Sequence, residues 1–429
     1  MRDYRAIVPK QPPVDARFPG PRVVAGGFAI LTTNAGLGFY GLAVYLNAFS
    51  KERGWEVASL SFGTTVFFVV AGIMGLYVAR LIARYDIRLV LVAGGVIGAV
   101  ALLLLGRVNS PWQLFAVYAL YGVGFAAAGL VPVTTVVTRW YHRRRAMAIS
   151  VASTGLSFGG VAITPAMKWF VDRRELAGAT PWLALVFVVG TVVPAWFLVR
   201  GDPAASGFSP DGDRLAPGAQ APALSGTPYR AALRSRFFVC VTVGYVLALG
   251  SQVGGIQQLV KLAEERTTAS TAAFATLALA LTSIVARLIG GRVFPRYPLT
   301  RVIVVLAAGQ MVALVGLGLS QRVWLLFAFI ILFGATVGNI LMLQPLLIAE
   351  RFGVREYPRL FSRSQFVGLF GTAGGPWLLG YLHDAAGGYD TAYVVAGGLS
   401  LAGAMVFSIG GTAENTSDHS IDGAPAAAR

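Results

Sequence analysis

Apolar stretches at residues 23–49, 57–79, 89–106, 112–138, 146–168, 181–199, 237–259, 271–290, 301–319, 323–349, 362–382 and 391–411 fill most of the chain. Each is close to the ~20 residues that an α-helix needs to cross a bilayer. The chain is 56% hydrophobic and 13% charged, far from the roughly 25% charged residues of a soluble domain. The sequence therefore predicts an all-α integral membrane protein with twelve transmembrane helices and the lipid bilayer as its surroundings.

The stretches form two sets of six that echo each other at an offset of 212 residues. Arg80, Arg84 and Tyr85 in RLIARY match Arg292, Arg296 and Tyr297 in RVFPRY. Arg139 and Arg143 match Arg351 and Arg355, Arg22 matches Arg234, Gly159 matches Gly371, and Asp172 matches Asp384. Chance supplies about one Arg-on-Arg match at any given offset, so a duplication is the economical reading. Two bundles joined in the same orientation are a common plan for membrane carriers. The division expected is a tail at 1–22, a six-helix bundle at 23–200, a linker at 201–234, a second bundle at 235–411 and a tail at 412–429. The linker, rich in Gly, Pro and Ala, reads as flexible, and the last tail as disordered.

A formal charge of +16 raises the possibility of nucleic acid, so the placement of the basic residues decides. With the N-terminus on the cytoplasmic side, inward loops and tails hold 25 Lys or Arg and outward loops hold 9; Arg287, inside a stretch, completes the 35. Such alternation is the positive-inside rule, with both termini cytoplasmic, and not the single patch of a nucleic-acid footprint. The first stretch is expected to serve as an uncleaved anchor, since the Pro-rich segment before it lacks a cleavage signal. Cys240 is the only cysteine, which excludes an intrachain disulfide and a cysteine metal cluster. No phosphate-binding glycine loop is present, and His142, His383 and His419 fall in loops or the tail. Neither an ATP-driven pump nor a membrane enzyme is expected, and no cofactor or metal is implied.

Glycines are organised. Gly155, Gly159, Gly160 and Pro165 in the fifth stretch are answered by Gly368, Gly371, Gly374, Gly375 and Pro376 in the eleventh. Small residues three or four apart let helices approach closely in lipid. Static packing accounts for them, and so does a sliding interface between the two bundles; their recurrence favours the second reading, with Gly159 and Gly371 as conformational residues.

GLYVARLIARYDIRLVLVAGG and GGRVFPRYPLTRVIVVLAAG resemble the signature loop of the major facilitator superfamily. The resemblance implies conformational roles for Arg84 and Arg296. The family's loop carries an Asp just before that Arg, where this chain has Ala83 and Pro295. GLGFYGLAVYLNAFSKERGW, RWYHRRRAMAISVASTGLSFGG, GFSPDGD and AERFGVREYPRLFSRSQFVGLFGTAGGP are similar to the monocarboxylate porter branch and its bacterial relatives. That likeness implies a monomeric carrier of a small organic anion, working by alternating access in a bacterial cytoplasmic membrane.

Arg287 is the leading candidate for the site. An Arg at mid-helix costs about 2.5–3.5 kcal/mol on insertion scales, so such a residue marks function by default. Its planar fork suits a carboxylate, and no acidic residue lies in the core of any stretch to neutralise it. Snorkelling of Arg287 to the interface is the competing reading. In the monocarboxylate porters the eighth span carries Asp and Arg four residues apart; Arg287 matches the Arg, and Ser283 stands at the Asp position. Their first-span Lys is replaced here by Val44. Symport, exchange and facilitated diffusion all remain open on these residues. Asn34, Tyr40, Tyr118, Tyr121, Gln257, Gln258 and Asn339 are further candidates to line a central cavity, each also suited to interhelical hydrogen bonding. Export of an amphiphilic compound on the same fold is the nearer alternative, and a transporter-like receptor the more distant one.

Overall fold

The computed structural model describes residues 17–215 and 224–413. Much of the expected C-terminal tail, from residue 414 on, lies outside the described residues, as do residues 1–16 and 216–223 of the N-terminal tail and linker. Among the described residues, ten helical stretches are long and apolar enough to cross a membrane. The longest, Arg145–Phe197, reverses at Glu175 (φ 59°, ψ 167°) and makes two crossings, and Tyr357–Ala386 adds another, which gives twelve. We label them α1 (Gly20–Arg53), α2 (Val57–Ile82), α3 (Ile87–Leu105), α4 (Pro111–Trp140), α5 (145–174), α6 (176–197), α7 (Arg236–Arg266), α8 (Ala269–Val293), α9 (Leu299–Leu319), α10 (Val323–Phe352), α11 (Tyr357–Ala386) and α12 (Tyr389–Ile409).

Local chemistry sets many of the boundaries. Asp86, Ser110, Ser235 and Thr268 cap α3, α4, α7 and α8 by accepting from backbone N–H groups in the first turn, which satisfies donors that have no intrahelical partner. Gly54 and Gly387 end α1 and α11 in the left-handed conformation. Three π turns interrupt the helices, at Asn34–Phe39, Gly159–Ile163 and Val188–Val192.

Helix pairing repeats between the halves. α1 packs on α5 as α7 packs on α11, α2 on α4 as α8 on α10, and α3 on α6 as α9 on α12. The halves meet through α5 against α8 and α2 against α11, contacts that exchange under the same repeat. We call the end carrying the turns 83–86, 141–144, 294–298 and 353–356 the basic end. There, one apolar core runs through both halves, from Val23 and Val137 to Tyr245 and Phe361. Toward the other end each half has its own core, around Tyr118 and Phe187 in one and around Phe333 and Tyr393 in the other. The polar contacts follow suit. Tyr357 donates to Thr134 at 2.9 Å and Arg145 pairs with Glu350 at 3.7 Å, both between halves at the basic end. At the far end, Arg53 bonds Asn109, and His383 contacts Glu265 and Asp384, within single halves. The molecule is closed at the basic end and its halves part toward the other.

Two expectations are corrected. Gly159 and Gly371 do not lie between the halves. A Cβ on Gly159 would sit 2.2 Å from the Thr32 carbonyl oxygen of α1, and one on Gly371 would sit 2.1 Å from the Val246 carbonyl oxygen of α7. The glycine faces are seams inside each half, where helix backbones touch, and the sliding-interface reading fails for that reason. The linker is not uniformly free either. The Asp211 carboxylate accepts from the backbone N–H groups of His142, Arg143 and Arg144 at 3.1, 2.8 and 3.3 Å. Phe18 packs on Trp140, Tyr141 and Phe208 over the same turn. Farther along, Ser225 accepts from Val354 and Arg355 N–H groups, and Tyr229 lies under the Arg359 guanidinium at 4.0 Å.

Candidate transport site

α8 carries Ser283, Arg287 and Gly291 at four-residue spacing, hence on one face. This face meets α10 and, across the halves, α5. Gly291 has no side chain where Ser150 and Met147 of α5 press against it, and Gly338 of α10 sits against Ser283. The close approach buries Arg287 to 1% exposure. Its Nε donates to the Gly338 carbonyl at 2.8 Å, and its Nη1 donates to the Ser153 carbonyl of the other half. Ser150 Oγ returns a bond to the Arg287 carbonyl at 2.6 Å. The guanidinium therefore does not reach a headgroup, and snorkelling does not describe it. Among the described residues, no carboxylate lies in ion-pair range of Arg287, so its charge faces only the dipoles of two backbone carbonyls.

Of the other candidates, Ser283, Asn339 and Tyr40 lie near it, and Asn34 lies on α1 with Tyr40. Ser283 is buried and its hydroxyl has no partner among the described residues. Asn339 donates to the Ala286 and Ala335 carbonyls, and its Oδ1 is buried without a partner beside Gly290. Tyr40, 38% exposed, stands over Gly160 within electrostatic reach of Arg287. Asn34 opens the π turn of α1, donates to the Phe125 carbonyl at 3.2 Å and leaves Oδ1 unpartnered. Carbonyls in this turn are taken by Thr164, on Gly36, and Tyr45, on Leu37. π turns recur at functional positions in helices, and this one touches the π turn of α5.

The remaining candidates lie apart. Tyr118 and Tyr121 are each 1% exposed inside the first half, Tyr121 against Phe67 and Phe187. Gln258 accepts from Tyr389 at 2.9 Å and reaches the Pro376 carbonyl, tying α7 to α12 and α11. Gln257, one residue earlier, is exposed. At 1.5 Å per helical residue, Arg287 lies ~9 Å from the basic end of α8, whereas Gln257 lies ~14 Å from the opposite end of α7. Arg84 and Arg296 are exposed in the turns after α2 and α8. Ser150, Ser153 and Gly338 were not legible as site residues, because two of them contribute only a main-chain oxygen; the small pair three apart in ISVAST is the one trace they leave.

The arrangement of twelve helices in paired halves is matched by the family model described as Major Facilitator Superfamily, over residues 28–305 and 251–426. The chain belongs to this superfamily. It is a multi-pass membrane transporter by that membership. Among curated relatives, Monocarboxylate transporter 13 of Bos taurus is 25% identical, over 76% of this chain and 74% of its own. The MFS transporter asaE of Aspergillus flavus is also 25% identical, over 80% of this chain and 75% of its own. The human organic anion transporter MFSD10 (TETRAN) superposes with a TM-score of 0.70 at 15% identity, covering 91% of this chain and 100% of that one. This superfamily member thus resembles the monocarboxylate branch in sequence, and the structural neighbour speaks for the fold.

Proposed function

We propose that this superfamily transporter carries a small organic anion, a monocarboxylate, by alternating access, with Arg287 gripping the carboxylate. The observation that carries the reading is a charged guanidinium, 1% exposed, at the meeting of the halves, hydrogen-bonded to the Gly338 and Ser153 carbonyls and with no carboxylate in ion-pair range among the described residues. A carboxylate offers it a charge-assisted, two-pronged partner that a carbonyl does not. Ser283 and Asn339 bring unpartnered polar atoms to the same place, and Tyr40 an exposed hydroxyl-bearing ring. The monocarboxylate transporters among the relatives support the substrate class.

The charge alternation of the loops supports a cytoplasmic basic end in an inner membrane. In that orientation the closed end faces the cytoplasm and the site awaits an anion from outside. Counterflow of labelled pyruvate, lactate and acetate into proteoliposomes tests the reading. Uptake by the wild type is expected to fall at least about tenfold in Arg287→Gln, the effect of losing some 1.4 kcal/mol of anion binding. Undiminished uptake in a variant inserted to the same level would remove Arg287 from the pathway.

A further inference from the structure

At the basic end of the first half, well away from Arg287, a cavity of about 520 Å³ opens between the turn after α2, the last turn of α4 and the start of the linker. Four arginines line it, Arg84, Arg88, Arg139 and Arg200, against two carboxylates, Asp86 and Asp202. Asp86 is spent on Arg88. It accepts from the Arg88 backbone N–H at 2.9 Å and from its Nε and Nη2 at 3.1 and 3.0 Å. Asp202 accepts from the Ala204 N–H at 2.9 Å. Three guanidinium groups thus face one carboxylate, an excess of two positive charges. Arg139 Nε is buried with no hydrogen-bond partner among the described residues, a state that is costly for a charged donor unless something fills the cavity. Ala83, next to Arg84, carries no charge, and Asp86, the one acid in the turn 83–86, is already held by Arg88.

We propose that this cavity binds a phosphate group. Guanidinium forks match phosphate oxygens two at a time, and the volume falls within the ~300–1,000 Å³ of small-ligand sites. The site belongs to one half only. Repeat partners of Arg84 and Arg139 exist as Arg296 and Arg351, but those of Arg88 and Arg200 are Thr300 and Thr412. Two sources carry this chemistry, the headgroup of an anionic phospholipid and a soluble phosphate compound. Tyr85 and Leu89, 59% and 52% exposed beside the cavity, offer an apolar surface to an acyl chain.

Native mass spectrometry of the full-length protein in detergent, titrated with phosphatidylglycerol or with inorganic phosphate, tests the proposal. One tightly held ligand is expected in the wild type, weakened about tenfold in Arg139→Gln and in the surface variant Arg200→Gln, and unchanged in Arg296→Gln. Retention of phosphatidylglycerol alone assigns the site to lipid, and retention of both assigns it to phosphate compounds generally. Equal retention by the wild type, Arg139→Gln and Arg200→Gln overturns the proposal. So does an equal loss in Arg296→Gln, which would reduce the effect to overall charge.

Discussion

Gly374 and Gly375 are neighbours on α11 that meet opposite surroundings. A Cβ on Gly375 would lie 2.0 Å from the Gly250 carbonyl oxygen of α7, whereas one on Gly374 meets nothing within 4 Å. Because the obstacle is backbone, α7 and α11 have to separate to admit it, and overpacking of this kind costs about 1–3 kcal/mol. Thermal unfolding of the detergent-solubilised protein should show a lowered midpoint for Gly375→Ala. Gly374→Ala should match or exceed the wild type, given the ~0.5–1 kcal/mol advantage of Ala over Gly within a helix. Identical midpoints for the two variants would mean that the seam is looser than its geometry. At this scale the sequence was partly legible. Arg287 announced itself, because charge inside an apolar stretch is rare. Its partners did not, since a backbone carbonyl is offered by every residue type. Tyr118 and Tyr121 carried the right polarity at the right spacing, yet that spacing fits the interior of a bundle as well as the wall of a cavity.

Among the elements, α5 shows how a connection fixes a helix. Three successive N–H groups ahead of its first turn converge on the Asp211 carboxylate, whose side chain is 6% exposed. An anion at this position complements the positive end of the helix dipole. Asp211→Ala should speed hydrogen exchange at the amides of residues 142–144 and destabilise the protein by about 0.5–2 kcal/mol, the cost of losing a capping carboxylate. Unchanged protection there would show that water replaces the carboxylate. The twelve crossings were legible because their length and apolarity leave little choice. The docked linker was not, since a Gly- and Pro-rich segment looks the same whether it is bound or free. The reversal at Glu175 and the π turns were also hidden; they depend on packing between helices.

For the whole molecule, the core shared at the basic end and the separate cores beyond it describe one facing of a carrier. Arg145 and Glu350 bind the halves there at 3.7 Å, with Glu350 about half exposed. With its guanidinium buried and its carboxylate half exposed to solvent screening, the pair contributes ~0.4–1 kcal/mol. Removing it by Glu350→Gln should therefore raise the open fraction by about two- to fivefold. Cys240 is the only native thiol, so Ser150→Cys in a Cys240→Ala background, at a position with 0% exposure between the halves, reports on that opening. Maleimide labelling should quicken in proportion when Glu350→Gln is added. An unchanged rate would assign the closure to the apolar core alone. The repeat made the two halves legible at this scale, but which end closes depends on long-range contacts that no local pattern encodes.

The partners of Arg287 have a further consequence for how this chain can change over generations. Replacing Ser153 alters a side chain but leaves its carbonyl oxygen in place, whereas a Cβ on Gly338 would press on the Ser283 carbonyl and push α10 from α8. Random drift on α5 can therefore rework the neighbourhood of the charge, and with it the shape offered to a cargo, without orphaning the guanidinium along the way, while α10 is held to glycine at its contact.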